Sequence, residues 1–444
     1  MTRPQELRAA VWLAVLAAGP GVIAAEPVPL TLVQALEMAG QKNPEVQAQA
    51  QRAAAADAER DAASRTRWPR LSVLSGWWYS DTPSMVFAGR LDSGEFRQRD
   101  FAITSLNDPP ALSHLGTALQ VEAPLDLFGS VGSRVKSLSL VAEAARFGHD
   151  EVSQDVRLGV IESYRRAALA ERVIVALARA VAGARAREAD VEARVAEGAA
   201  LAAELLRARA RRRQREADLA EHRGDHAVAL ARLARAIGAP TSDAYRPVEP
   251  ALTPPPLEGD GASWSERALA GRPAIAAARR RSESRTLAMQ AEDRSKWPDL
   301  AAWGRVQDDR IPASGGSVSG AVGVSLRWNV LDFSRSSRTA AAASEARAAD
   351  LSAQAVTDQV RLETETAWHR AQAARERYAA AAGGAEEGRE ALRVIRERRQ
   401  QGLATLTDEL ETEAASLGAE IEELRAATEA AIADASLRRA AGAL

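Results

Sequence analysis

The sequence of 444 residues contains no cysteine. This absence excludes disulfide bonds, thiol catalysis and thiolate metal sites, and also a lipid-modified cysteine at a mature N-terminus. Aromatic residues make up only 4% of the chain, whereas 46% of it is hydrophobic and alanine is the most frequent apolar type. This composition is typical of long helices that pack through small side chains rather than of a large globular core.

The chain also lacks a large net charge, because it contains 58 basic and 60 acidic residues. No overall field favours nucleic acid. The arginine-rich run 207–215 is flanked by Glu204, Glu216 and Asp218, and we expect it to be a solvated helix face. His222 and His226 share a helix face but have no third histidine nearby, so we expect no metal site. No nucleophile–base set is present, so the sequence predicts neither an enzyme nor a cofactor site.

Long hydrophobic runs are scarce, and the clearest one is at the start of the chain. Arg3 and Arg8 precede the apolar run 9–18, and the small residues at 23–25 precede Glu26. This order is typical of a secretory signal, and the run is too short to span a bilayer. We therefore predict a signal peptide over residues 1–25 and export of the remaining chain.

The chain contains a long internal duplication. Trp68-Pro69 recurs as Trp297-Pro298, and each pair follows an earlier proline, Pro44 or Pro273, at the same spacing. Three further echoes share a second common spacing: Val156-Arg157-Leu158 with Val360-Arg361-Leu362, Gly198 with Gly402, and Gly238 with Gly442. The duplication predicts repeat one over 26–243, a proline-rich linker over 244–261 and repeat two over 262–444.

Each repeat begins with a short helix and continues with two strands. Thr31 is the expected N-cap of the first helix. Apolar and small or polar residues alternate over 115–123 and 322–330, and weaker strand patterns occupy 71–79 and 300–306. These pairs predict β-hairpins over 71–123 and 300–330. A soluble β-sandwich edge is the alternative, but the length of the clearer segments suits a tilted membrane strand of about 9–11 residues.

Four strands cannot close a membrane barrel, and an open edge in lipid leaves backbone groups unpaired. We therefore expect the chain to oligomerise if its strands span a membrane. The rest of each repeat is helical, because 133–237 and 338–441 contain no proline. Gly198 and Gly402 are the expected turns, which predicts two helices of about 60 and 40 residues in each repeat, about 60–90 Å long.

This layout resembles the TolC family of outer-membrane efflux and secretion channels. The resemblance rests on the order of several motifs: the opening 30–36 with Asn43-Pro44 and its echo Arg272-Pro273, segments 124–129 and 330–333, the two glycine turns, and the insert that carries Phe96, Asp100, Phe101, Leu106 and Asn107. It implies a mainly helical homotrimer in which each protomer gives four strands to a twelve-stranded β-barrel. The long helices would form an α-barrel across the periplasm.

The resemblance also implies a function and partners. We expect the exit duct of a tripartite efflux system, located in the outer membrane and its lipid. A periplasmic adaptor protein and an inner-membrane pump would dock at the helix tips. Two alternatives stay open: a duct for a type I protein secretion system, and a secreted coiled-coil structural protein without a pore.

The family pattern points to specific residues at the tips. Acidic residues six and nine places after the second glycine would line a constricted entrance, and here these are Asp408 and Glu411. The alternative is a solvated helix face. Repeat one has Glu204 and Arg207 at the matching places and adds less negative charge, and Ala404 occupies a place where a closing contact is common. The expected adaptor-docking residues are Gly198, Leu201, Glu204, Leu205, Gly402, Leu403, Thr405 and Leu406.

Tryptophans occur in the strand-like segments, where an aromatic belt at the membrane interface is expected. The predicted interface residues are Trp77, Trp78, Trp303 and Trp328.

Overall fold

The structure is a computed structural model that describes residues 28–241, 245–248, 256 and 258–444. The predicted signal peptide lies outside these residues.

The elements repeat in the order that the duplication predicts. Helices α1 (Leu32–Lys42) and α2 (Pro44–Arg65) have counterparts α7 (Gly261–Gly271) and α8 (Pro273–Arg294). Proline begins α2 and α8, where a missing N–H costs no hydrogen bond.

The first helix begins as predicted. The Thr31 hydroxyl accepts a hydrogen bond from the Gln34 N–H, and the Gln34 side chain accepts one from the Thr31 N–H. This reciprocal cap satisfies two N–H groups that the first turn leaves open. A short strand β1 (Val28–Leu30) pairs in parallel with β4 (Tyr245–Pro247), which lies within the predicted linker.

A four-stranded antiparallel sheet contains the predicted hairpins. Its strands are β2 (Arg70–Ser80), β3 (Leu112–Leu125), β5 (Asp299–Ile311) and β6 (Gly315–Arg327), in the order β2-β3-β5-β6. Repeats one and two therefore meet at the β3–β5 pair, and β2 and β6 are the edges. The prediction of strands in all four segments is confirmed.

The position of the last strand was predicted wrongly. We expected it over 322–330, but β6 begins at Gly315 and ends at Arg327, so Trp328 and Val330 lie outside it. The connection between β5 and β6 is only residues 312–314, because Asp308 to Ile311 pair with Val318 to Gly315. Serine and glycine in 315–320 look like a turn by composition, but here they are paired strand residues.

The connection between β2 and β3 is folded. It contains α3 (Pro83–Asp92), a short 3₁₀ turn (Gln98–Phe101) and α4 (Ile103–Asn107). Phe96 contacts Phe87 and Phe101 edge to face, with ring centroids 4.8 and 4.9 Å away. Arg90 Nη1 lies 3.0 Å from Asp100 Oδ1, and both side chains are largely buried. We call residues 83–107 the insert.

The long helices form two antiparallel pairs. Helix α5 (Ser130–Ala196) returns as α6 (Ala202–Ala236), and α9 (Arg335–Gln400) returns as α10 (Leu406–Ala440). The helix–turn–helix prediction is confirmed. Helix α5 has 67 residues and is about 100 Å long at about 1.5 Å per residue. Nearer the tips the helices lie side by side in the order α6-α5-α10-α9, and nearer the sheet in the order α2-α5-α8-α9.

Small and β-branched side chains form the contacts between the helices. One core cluster joins α1, α5 and α6, and its Tyr164 is fully buried. The Tyr164 hydroxyl lies 2.9 Å from the carbonyl oxygens of Leu30, which ends β1, and of Val248, which directly follows β4. Among the described residues, no helix combines the length and apolar character needed to cross a membrane.

Candidate functional site: the helix tips and the two faces of the sheet

Both helix tips turn at a glycine with left-handed backbone. Gly198 and Gly402 each have φ of 77°. After Gly198, the Ala199 N–H donates to the Arg194 carbonyl, and Leu403 makes the matching bond to Arg398, at 2.7 and 2.8 Å. This is the hydrogen-bond pattern of a glycine-terminated helix, and it satisfies carbonyls that the helix end would leave open. The two tips are therefore equivalent in backbone.

The helix tips expose some, but not all, of the apolar residues that were predicted to dock an adaptor. Leu201 and Leu403 are 69% and 72% exposed, and Leu206, which the sequence analysis did not single out, is 66% exposed. Glu204 and Leu205 are half-buried, and Thr405 is exposed. The expectation for Leu406 is wrong, since only 8% of it is exposed. It shares the inward face of α10 with Glu409 three residues later.

The two predicted acidic residues differ in their surroundings. The Asp408 carboxylate accepts hydrogen bonds from the Thr405 hydroxyl and N–H, at 2.7 and 2.8 Å, and thereby forms one half of the capping box of α10. Both bonds lower the pKa of Asp408 below its ordinary value, and the bond from the Thr405 hydroxyl has the larger effect. Glu411 is exposed one turn further along. Asp408 therefore has a structural role besides its charge.

Sequence reasoning missed an ionic cluster beside Asp408. Glu409 is only 5% exposed and makes a close ion pair with Arg399. Arg187 of α5 and Arg396 of α9 each lie 3.6 Å from the same carboxylate, and Arg187 also pairs closely with Glu413. Burial lowers the pKa of Arg187, and the Glu409 carboxylate opposes that shift. We call Arg187, Arg396, Arg399, Glu409 and Glu413 the tip cluster.

The arginine run is only in part the solvated face that we expected: Arg207 and Arg213 are exposed, but other members are half-buried in contacts between helices. Arg209 and Arg212 pair with Glu188 of α5. Two others reach repeat two: Arg207 Nη1 lies 3.2 Å from the Thr407 hydroxyl, and Arg211 Nη2 lies 3.2 Å from the Leu410 carbonyl. The acidic residues next to the run in the sequence suggested only local ion pairs. The antiparallel packing of the helices instead brings residues that are distant in sequence beside the arginines.

His222 and His226 lie one turn apart on α6. His222 Nδ1 lies 2.9 Å from the Asp218 carbonyl. Within the described ranges, no group of three histidine, aspartate or glutamate side chains is arranged to hold a metal ion.

The strands place most of their leucine and valine side chains on one face of the sheet, where Asp308 and Arg310 are charged exceptions at the end far from the long helices. The register of the pairs assigns alternate residues to each face. One face, the apolar face, carries Leu71, Val73, Trp77, Leu115, Leu119, Val121, Leu300, Val306, Val322, Val324 and Leu326. The other, the polar face, carries Ser72, Gln120, Glu122, Arg305, Gln307, Ser319, Ser325 and Arg327.

The apolar face is exposed to an unusual degree for a sheet that would pack in a protein core. Val322 is 87% exposed, and Val73 is 70% exposed. The polar face contains a recess of about 480 Å³ lined by Gln120, Glu122, Trp303, Arg305 and Gln307. An apolar outer surface with a polar, charged inner one is the side-chain pattern of strands in a lipid-facing barrel.

The predicted interface tryptophans do not share one surface. Trp77 lies on the apolar face, with its Nε1 2.9 Å from the Ser113 hydroxyl. Trp78 and Trp303 belong to the polar face: Trp78 stacks on His114, with centroids 4.8 Å apart, and the Trp303 ring covers Gly323. Trp328 follows β6 and donates to the Lys296 carbonyl. Of these four, the strand pattern places Trp77 alone where an interface belt would form.

The insert lies over the polar face. Gly89 of α3 packs against the Trp78 ring so closely that a methyl group there would lie 2.8 Å from it, and Gly94 approaches Ser317 of β6. Beneath α3, His114 and Asp309 are 5% and 2% exposed, and His114 Nε2 lies 3.4 Å from Asp309 Oδ1. The insert therefore covers the polar surface at the end of the sheet far from the long helices.

Comparison with protein families gives one match. Residues 35–239 and 264–443 fit the family described as outer membrane efflux protein. These two ranges cover most of the chain and correspond to the two repeats. No curated protein matches the sequence.

Solved structures with the same fold are membrane proteins of low sequence identity. A membrane protein from Pseudomonas aeruginosa is 20% identical with a TM-score of 0.77, and the match covers 93% of each chain. The outer membrane protein VceC of Vibrio cholerae is 17% identical with a TM-score of 0.75, over 93% of this chain and 96% of that one. The CmeC outer membrane channel of Campylobacter jejuni is 14% identical with a TM-score of 0.76, over 93% and 85%. The mainly helical fold with a four-stranded sheet is thus the fold of TolC-like channels.

Proposed function

Because this chain belongs to the outer membrane efflux protein family, we propose that it is the outer-membrane exit duct of a tripartite efflux system. The sheet sits in the outer membrane, and the long helices extend through the periplasm. The duct is passive, and a separate inner-membrane pump supplies the energy.

The observation that carries this proposal is the sorting of side chains on the sheet. Leucine and valine cover one face, whereas Glu122, Arg305 and Gln307 lie on the other. A soluble coiled-coil protein would have to bury Val322, which is 87% exposed. In a membrane the same face contacts lipid, and the polar face lines a water-filled lumen.

Three copies of the chain complete the pore. One protomer supplies four strands and leaves β2 and β6 as open edges. Unpaired backbone groups cost several kcal/mol each in hydrocarbon, so the edges must pair with other chains. Three protomers give a closed barrel of twelve strands, large enough for an aqueous channel, and their helices continue it as an α-barrel.

The helix tips form the gated entrance and the docking site. Leu201, Leu206 and Leu403 offer exposed apolar contacts to a periplasmic adaptor. Asp408 and Glu411 contribute an acidic ring in the trimer, which attracts cations and repels anions. The tip cluster holds α5 of repeat one against α10 of repeat two, so its rearrangement would accompany opening.

Ion conduction is the direct test of this proposal. The protein is extracted from outer membranes in detergent and added to a planar lipid bilayer. We expect discrete conductance steps that are larger for cations than for anions. A preparation that stays in the membrane fraction yet gives no conductance, even when Arg187 of the tip cluster is replaced by alanine, would overturn the proposal.

A further inference from the structure

Two aromatic rings join the repeats inside the chain. The Phe128 and Trp297 rings are stacked, with centroids 5.3 Å apart and planes 11° apart. Phe128 directly precedes Gly129, the N-cap of α5. Trp297 follows α8, and its N–H donates to the Arg294 carbonyl at 3.1 Å. The stack therefore links the start of a long helix in repeat one to the end of a short helix in repeat two.

The duplication supplies a second pair of the same residues, and this pair is apart. Phe333 directly precedes Ser334, the N-cap of α9. Trp68 follows α2, and its N–H donates to the Arg65 carbonyl at 3.0 Å. Both rings face solvent in the single chain, with exposures of 92% for Phe333 and 70% for Trp68. They occupy the positions that correspond to Phe128 and Trp297, although the N-cap after Phe333 has φ of −79° where Gly129 has φ of 72°.

The two rings cannot meet within one protomer because they lie at opposite edges. Trp68 leads into the edge strand β2, and Phe333 follows the edge strand β6. The contact between repeat one and repeat two occupies the middle of the sheet. The corresponding contact from repeat two back to repeat one requires a second copy of the chain.

The hairpin registers agree with this correspondence between the repeats. If Trp68 matches Trp297 and Phe128 matches Phe333, the same shifts carry position 76 of β2 onto 305 of β5 and position 116 of β3 onto 321 of β6. Gly76 indeed pairs with Gly116, and Arg305 pairs with Ala321. A one-residue error in either match would carry a pair of the first hairpin onto unpaired positions of the second.

From these relations we infer that Phe333 stacks on Trp68 of the partner subunit, and that β6 pairs antiparallel with the partner's β2 in one register. That register repeats the pairing of β3 with β5, in which Val121 lies opposite Gly304 and Leu119 opposite Val306. It places Leu326 opposite Ser75 of the partner subunit, and Val324 opposite Trp77 of the partner subunit. The inference rests on the proposed trimer and specifies its contacts.

Side-chain chemistry supports this register independently. Leu326, Val324 and Trp77 all belong to the apolar face, so the pairing continues the apolar surface across the joint. A shift by one residue would place polar-face residues of one copy beside apolar-face residues of the next. Strand pairing of a membrane barrel does not tolerate that exchange, since one face contacts lipid.

A hydrogen bond beside the Phe128–Trp297 stack should also have an equivalent between two copies of the chain. Arg294 Nη1 donates to the Gly129 carbonyl at 3.0 Å. The same shifts relate Arg294 to Arg65, which is exposed, and Gly129 to Ser334. The Arg65 guanidinium is therefore placed to bond the carbonyl of Ser334 of the partner subunit, beside the aromatic stack.

The absence of cysteine allows a direct cross-linking test in outer membranes. The variant Leu326→Cys with Ser75→Cys carries the pair that the register joins between copies. The matched control, Val121→Cys with Gly304→Cys, carries the equivalent pair within the chain. A third variant, Val324→Cys with Ser75→Cys, is out of register by two positions. Each is oxidised mildly, and the products are separated by denaturing electrophoresis without reductant.

We expect the first variant to form covalent dimers and trimers as efficiently as the control forms its internal disulfide. The out-of-register variant should cross-link at least fivefold less. Suppose that the protein is a trimer by native mass and conducts ions, but cross-links better in the out-of-register variant or in neither variant. That result would overturn the register and leave the proposed duct intact. A monomer that neither trimerises nor conducts would overturn both.

The aromatic stack has a separate test. Trp68→Ala and Phe333→Ala should each lower the temperature at which detergent dissociates the trimer. The double variant should lower it no further than the larger single effect, because both changes remove the same contact. Leu331→Ala, an 81% exposed neighbour, is the control for lost apolar surface. Additive effects, or no effect beyond that of the control, would overturn the stack.

Discussion

Arg187 of α5 lies against Glu409 of α10, with Nε 3.6 Å from Oε1, although the two residues lie in opposite halves of the sequence. The two side chains are only 13% and 7% exposed. They belong to different repeats and meet near the helix tips. The pair therefore ties the two halves of the protomer together where the proposed duct has to open.

Replacing Arg187 with alanine should loosen the tips. Glu409 and Glu413 would keep their charges in a buried setting with one cation fewer, at a cost of about 2 kcal/mol. We expect a larger single-channel conductance or a higher open probability in planar bilayers.

Arg179→Ala is the matched control, because Arg179 joins the same two helices through Glu420 but is 67% exposed. Exposed pairs contribute about 0–1 kcal/mol, so this variant should conduct like the parent protein. Equal effects of the two substitutions would contradict a special role for the tip cluster.

Asp408 and Glu411 should differ in their effect on local stability. Asp408→Ala removes one half of the capping box of α10 and should speed amide hydrogen exchange in the first turn about fivefold. Glu411→Ala removes the same charge one turn later and leaves the capping box intact, so its exchange should be unchanged. Equal exchange in the two variants would contradict the capping role of Asp408.

The same capping contribution depends on pH, because its hydrogen bonds favour the ionised carboxylate. The pKa of Asp408 is lowered in the folded protein. The contribution is therefore complete above the unfolded value of about 3.9 and is lost as pH falls through the folded pKa. As pH falls through that range, exchange in the first turn of α10 should accelerate relative to the rest of the helix in the parent protein. In Asp408→Ala the same ratio should stay unchanged.

The charge of the same two residues is tested by ion selectivity. Six carboxylates in the trimer should favour cations, so the double variant Asp408→Ala with Glu411→Ala should reduce the cation preference of the reconstituted pore. The reversal potential under a salt gradient measures that preference. An unchanged reversal potential would eliminate the acidic ring, whatever the effect on exchange.

Neighbouring residues of β6 test which face meets lipid. Val322→Arg places a charge on the apolar face, at a cost of about 2–4 kcal/mol near the middle of a bilayer, and should reduce assembly in the outer membrane. Ala321→Arg adds the same side chain to the polar face and should assemble normally while shifting selectivity toward anions. Immunoblots of membrane fractions and reversal potentials report the two effects. Normal assembly of both variants would contradict the assignment of faces.

Substitution of the glycines that follow α5 and α6 tests how closely the backbone is packed at the end of each helix. Gly238 has φ of 73° and packs so closely that a methyl group would lie 2.5 Å from the Lys42 carbonyl oxygen. Gly198 has φ of 77° with nothing within 4 Å. Gly198→Ala should cost about 1–2 kcal/mol through backbone strain alone, and Gly238→Ala clearly more. Thermal unfolding compares them, and equal midpoints would contradict the close approach.

The sequence predicted the features that depend on local pattern. The Thr31 cap, the glycine turns and the proline-free helices follow from short-range rules, and alternation revealed the strands. Residues 315–320 were missed because serine and glycine resemble a turn, and only pairing with β5 makes them a strand. Leu406 and Glu409 were misjudged or overlooked because burial depends on which helices pack together. The contacts of Arg207 and Arg211 likewise depend on an alignment of antiparallel helices that local spacing does not reveal.

Electron microscopy of the protein extracted from outer membranes in detergent tests the central claim most directly. We predict threefold particles with a short barrel at one end and a helical tube about 100 Å long, the length of α5 at about 1.5 Å per residue. The edge strands β6 and β2 of neighbouring copies should be paired around the barrel. A water-soluble monomer, or a filament in which the strands do not close, would contradict the exit-duct assignment.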